Sequence, residues 1–138
     1  MAFIGNTKHN VPFMLKHSDF FEELPEKYYD SAFIDRLHAF LPGWEIDIIR
    51  GEMFSEGYGF VVDYIAEILR DLRKQDFSDR YSEHFELSSD IATRDKDAIN
   101  KTFSGLMKII FPNANQTEEE TQEILKFAIE CRLSLIHI

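Results

Sequence analysis

The chain has 138 residues, of which 44% are hydrophobic and 14% aromatic; that apolar share excludes wholesale disorder, and the length suits one domain or two small subdomains. Fifteen Lys and Arg stand against 25 Asp and Glu, a formal net charge of -10, which excludes a basic nucleic-acid-coating domain because counterion release needs clustered cations. A single cysteine, Cys131, excludes a disulfide framework and a multi-cysteine zinc site.

Residues 1–6 are short and apolar and end in the turn residues Gly5 and Asn6, which predicts the tail of a strand. A strand opening at Met1 needs a neighbour, so its sheet partners are expected either in a later strand or outside the chain. Pro12 limits any helix near Val11 to its first turn, and Phe20, Phe21 and Leu24 before Pro25 read as a packed loop. A helix is expected from Tyr28 to Leu41, with Phe33, Leu37, Phe40 and Leu41 at helical spacing and Pro42-Gly43 as its stop. Trp44, Ile46 and Ile48 alternate with Glu45 and Asp47, which predicts a strand with one wet face.

Beyond Gly51 the pattern turns helical. Phe60, Val61, Tyr64, Ile65, Ile68, Leu69 and Leu72 make one apolar stripe, opposite Asp63, Glu67, Arg70, Asp71, Arg73 and Lys74. Residues 77–91 are polar with scattered aromatics and predict a short helix and a turn. A further helix is expected over about 95–110, buried through Ile99, Phe103, Leu106, Met107 and Ile110 and ended by Pro112. Thr117-Glu118-Glu119-Glu120 matches a capping box ahead of a last helix that turns Ile124, Leu125, Ala128 and Ile129 inward. The expected organisation is a mixed α/β portion over residues 1–50 followed by a helical portion over 52–132.

The usual carriers of chemistry are absent from the sequence. No G-x-x-x-x-G-K-[ST] phosphate loop and no G-x-G-x-x-G follow a strand, and Gly57-Tyr58-Gly59 reads as a helix entry. Ser104-Gly105 is no nucleophile elbow, since Thr102 and Leu106 stand where glycine and the motif's spacing are needed. His9, His17, His38, His84 and His137 lack metal-binding spacing and are expected to be structural or exposed, and Cys131 an inert packed thiol. What remains is a sparse set: Asn6 at a strand end, Arg36 on a helix before the next strand, and Arg94 at the head of the helix expected over about 95–110. Taken singly, Asn6 equally suits a turn, and Arg36 beside Asp35 and Arg94 near Asp90, Asp95 and Asp97 equally suit surface ion pairs.

Taken together, the strings Phe3-Ile4-Gly5-Asn6, Asp30-Ser31-Ala32-Phe33-Ile34-Asp35-Arg36-Leu37-His38-Ala39-Phe40, Leu41-Pro42-Gly43-Trp44-Glu45-Ile46, Tyr58-Gly59-Phe60-Val61-Val62-Asp63-Tyr64, Arg94-Asp95 and Lys101-Thr102-Phe103-Ser104-Gly105-Leu106-Met107-Lys108 resemble the BrxL family. This is the Lon-like AAA+ ATPase family of bacterial BREX phage-defence systems. The resemblance runs to about Arg132. It implies a predominantly helical fragment: the C-terminal part of an α/β P-loop ATPase core over 1–50, then a helical lid over 52–132.

The resemblance also implies roles. Asn6 takes the sensor-1 position at a strand tip, and Arg36 the arginine-finger position. Arg94, or after it Lys101, takes the lid position that closes on the phosphates. ATP and Mg2+ are expected in the intact parent and none on this fragment alone, which carries neither the Walker motifs nor a protease dyad. Expected partners are further copies in a ring, DNA and other BREX components, in the cytoplasm and without a membrane, since no apolar run approaches the ~18 residues of a span and no signal peptide opens the chain. The acidic charge of this segment makes it an unsuitable DNA surface. Residues 133–138 depart from the charged helix expected after Arg132, match one reading frame of a transposon-end sequencing adapter, and are expected to be a non-native tail; an ordinary amphipathic helix end is the other reading. The same composition also suits a complete, small, acidic helical module that binds a protein partner without enzymatic activity.

Overall fold

A computed structural model of the chain describes residues 2–18 and 20–136. The described residues form five α-helices, α1 (Val11–His17), α2 (Ser31–Ile34), α3 (Val62–Leu72), α4 (Thr93–Ile110) and α5 (Glu118–Ile136), with single 3-10 turns at Glu26–Tyr28, Gly43–Glu45 and Gly51–Met53. There is no strand among them.

The core is an antiparallel hairpin of α4 and α5. Ile99, Phe103 and Met107 of α4 meet Ile124, Leu125 and Ala128 of α5, and Phe77 and Tyr81 close the cluster from the preceding segment. The spacing of these apolar residues is that of one helix face, so burial of the stripe and helix formation reinforce each other. At the start of α5 the capping box forms in full: Thr117 N–H donates to Glu120 Oε2 at 2.7 Å, and Glu120 N–H to Thr117 Oγ1 at 3.2 Å. Ala114, in the link between the two helices, has a left-handed backbone with φ 55.

Four local expectations are corrected. Helix α2 stops at Ile34 instead of reaching Leu41. Its continuation is pre-empted by tertiary bonds: Leu37 gives its carbonyl to Arg132 and Phe40 its N–H to Cys131, both on α5. Residues 44–49 form a 3-10 turn and then an unpaired stretch, with Trp44 stacked on Phe20 at 5.0 Å and Ile48 81% exposed. Residues 2–6 are likewise irregular, and Met1 lies outside the described residues. The period-two pattern is present in 44–49, but a ladder requires a neighbouring backbone, and none lies alongside among the described residues.

Residues 78–84 form successive turns instead of a short helix. Side chains there compete for the backbone: Ser78 N–H donates to Asp76 Oδ1, Ser82 Oγ to the Asp79 carbonyl, and Phe77 N–H to Ser104 Oγ. Helix α3 forms as expected, braced by Glu67–Arg70 and Asp71–Lys74 pairs, yet it buries no residue, and Val62, Tyr64, Ile68 and Leu69 remain exposed. Helix α5 continues through Ile136 with Leu135 buried, while His137 and Ile138 lie outside the described residues.

Candidate functional site

Arg36 lies just past the end of α2, whose N-cap Asp30 accepts from Ala32 N–H. Its guanidinium is exposed and donates back to the Ala32 carbonyl of its own helix turn. The neighbouring Asp35 is ion-paired with Arg94 across 59 residues of sequence. The structure thus brings two of the candidate cations, Arg36 and Arg94, to one place, linked through Asp35.

Arg94 sits in the first turn of α4, and its guanidinium pairs with Asp35. Lys101 is exposed two turns further along α4. It is near enough to His38 that, after partial burial, its charge and that of Arg132 hold the imidazole below its ordinary value of 6.5. Asn6 is exposed on the irregular N-terminal segment. That segment is held beside α2 by Phe3, whose ring packs edge-on against Phe33 at 5.8 Å and Tyr28 at 5.9 Å. The N-terminal segment thus touches α2 through Phe3, three residues before Asn6, and the first turn of α4 reaches the end of α2 through the Arg94–Asp35 pair.

One residue escaped the sequence reading. Arg132 of α5 is buried, with its side chain 4% exposed. Its Nε and Nη2 lie 2.8 and 2.7 Å from Asp95 Oδ1, and its Nη1 donates to the Leu37 carbonyl at 2.5 Å. The signal was present in the spacing: position 132 continues the stripe Thr121, Leu125, Ala128, so an arginine there has to find its partners inside.

Chemically, the arrangement presents cations and one amide with no nucleophile. Cys131 is buried, and burial, aided by the charge of Glu130, pushes its thiol up and away from reactivity. Among the described residues no group of three His, Cys, Asp or Glu is placed to hold a metal ion. Arg36 and Lys101 present exposed cations, while Arg94 is engaged by Asp35. No helix of the described residues is long and apolar enough to cross a membrane.

Comparison with known proteins decides the family. The model described as "Lon-like protease BrxL-like, ATPase domain" matches residues 1–137. The chain belongs to the BrxL ATPase-domain family. Lon-like protease BrxL of Bacillus cereus (strain H3081.97) is 45% identical over 130 residues, and Lon-like protease BrxL of Escherichia coli O9:H4 (strain HS) is 39% identical over 132. These alignments cover 94% and 96% of the chain but only 19% of either BrxL relative.

Proposed function

We propose that the chain forms part of the ATPase domain of a Lon-related, BrxL-like AAA+ protein acting in BREX anti-phage defence. In this reading, residues 1–50 complete the α/β core and 52–132 form the helical lid. The observation that carries it is the ATPase-domain match along residues 1–137. The Asp35–Arg94 pair, which ties the segment carrying Arg36 to the first turn of α4, supports it. Segments 1–6 and 44–49 are edge candidates for a sheet completed by the rest of the parent. The parent works in the cytoplasm as a ring, with DNA and other BREX components as partners.

Phosphoryl transfer from ATP is positioning and charge stabilisation more than covalent chemistry by the protein. Arg36, exposed on a short turn, reaches into a neighbouring subunit's site as the arginine finger and stabilises charge there. Asn6 orients water or a phosphate oxygen through its amide. Arg94 closes from the lid, trading Asp35 for a phosphate oxygen, with Lys101 the alternative. The bound Mg2+–ATP supplies the leaving group and metal charge, through residues of the parent outside this chain. Alone, this chain turns over no ATP.

In the full-length protein, Arg36→Ala should lower ATP turnover by about 10³-fold or more, the usual worth of a finger. Nucleotide binding, followed by fluorescence of a labelled ATP analogue, should be retained. Turnover at the wild-type rate would remove the assignment.

A further inference from the structure

Residues 35–40 have no regular structure past the turn at Asp35 and Arg36, yet they are fixed to the helical hairpin at three successive points. Asp35 pairs with Arg94, the Leu37 carbonyl accepts from Arg132 Nη1 at 2.5 Å, and Phe40 N–H donates to the Cys131 carbonyl at 3.1 Å. Arg36 lies between the first and second. The three links are unequal. The Asp35–Arg94 pair is exposed on both sides, and such pairs are weak and screened by salt. The Phe40–Cys131 bond is a single neutral one.

Arg132 differs from both. Its guanidinium is buried, and each of its three nitrogens has a partner: Nε and Nη2 on Asp95, Nη1 on Leu37. A charge survives burial only with such satisfaction, and the planar fork fixes direction as well as distance. One plane therefore relates the first turn of α4, the body of α5 and the segment that carries Arg36.

We propose that Arg132 is a positioning residue for Arg36: it locks the finger-bearing segment to the lid helices, so that lid and finger move as one unit. The inference rests on Arg36 being the finger, as read above. Misplacement of a catalytic group by about 1 Å costs as much as 10²-fold, so a small loosening at residue 37 is felt at residue 36.

The test uses the full-length protein with Arg132→Lys and Arg132→Gln, each with and without Arg36→Ala. Lysine keeps a charge for Asp95 but has no planar fork. The expected result is a fall in kcat of about 10-fold or more at unchanged ATP Kd. Amide exchange across residues 37–40 should quicken while α4 and α5 stay protected. In the Arg36→Ala background the residual single-turnover rate should not fall further when Arg132 is changed.

Equal losses in both backgrounds would overturn the proposal, because the effect would then bypass Arg36. Unchanged exchange at 37–40, or full turnover despite faster exchange, would overturn it as well. General loss of protection in α4 and α5 in both variants would make Arg132 a folding residue only. Failure of the finger reading is distinguishable: Arg36→Ala alone would then keep wild-type turnover, whatever the exchange at 37–40.

Discussion

His38 follows Leu37, whose carbonyl Arg132 holds, and its imidazole is held below 6.5, first by partial burial and then by the charges of Lys101 and Arg132. A lowered folded-state value means that the unfolded chain binds the proton more readily. Between the folded value and 6.5 the unfolded state carries more protons, so stability falls as pH drops through that window and is unaffected by this group above it. The melting temperature should therefore decline on acidification from about pH 7.5 to 5.5, and His38→Gln should flatten that decline. Thermal melts of the two proteins across the range check this; identical slopes would remove His38 from the account. The same neighbours explain why Lys101 is a weaker candidate than Arg94. Lys101 faces solvent and acts on His38 through space, whereas the Arg94 guanidinium already holds a carboxylate.

Helices α4 and α5 were legible because their cues agree: an apolar stripe of period 3.6, Pro112 as a stop, and Thr117 with Glu120 as a start. The capping box is the more local cue and can be tested alone. Thr117→Ala should cost about 1 kcal/mol, read from chemical denaturation. Glu120 would keep its reach back to the residue 117 N–H, so the loss should be partial. The helix expected over residues 28–41 was cut short for a reason absent from its own sequence. The groups that would have continued it are bonded to α5, some ninety residues on. The strand expected at 44–49 has the right alternation and no partner, since pairing is a property of two segments and the sequence displays one. Within the site, Arg36 and Arg94 stood out in the sequence, but their link through Asp35 and the buried Arg132 depend on contacts between residues distant in the chain.

For the molecule as a whole, burial is uneven. Among the described residues, all the buried ones apart from Met14 lie between Phe77 and Leu135, while residues 44–69 expose Ile48, Phe54, Tyr58, Phe60 and Val62. An eleven-residue helix such as α3, with no packed face, is marginal by its own propensity. Limited proteolysis of the chain should leave a resistant fragment beginning near residue 76 and containing α4 and α5. Cleavage should come first between about residues 46 and 62, where backbone is exposed and unpaired. Even cutting across α4 and α5 at the same rate would contradict this distribution of stability. The net charge of -10 leaves the chain mutually repulsive, which opposes association through that exposed apolar surface.

The single thiol of the chain sits at the junction itself. Cys131 neighbours Arg132 in sequence, gives its carbonyl to Phe40, and is shielded from solvent. A maleimide or disulfide reagent therefore reaches it only from a state in which the packing around α5 has opened. In effect the molecule carries its own opening sensor: labelling kinetics, in a parent with its other cysteines replaced, would time each opening around α5 without any added probe site.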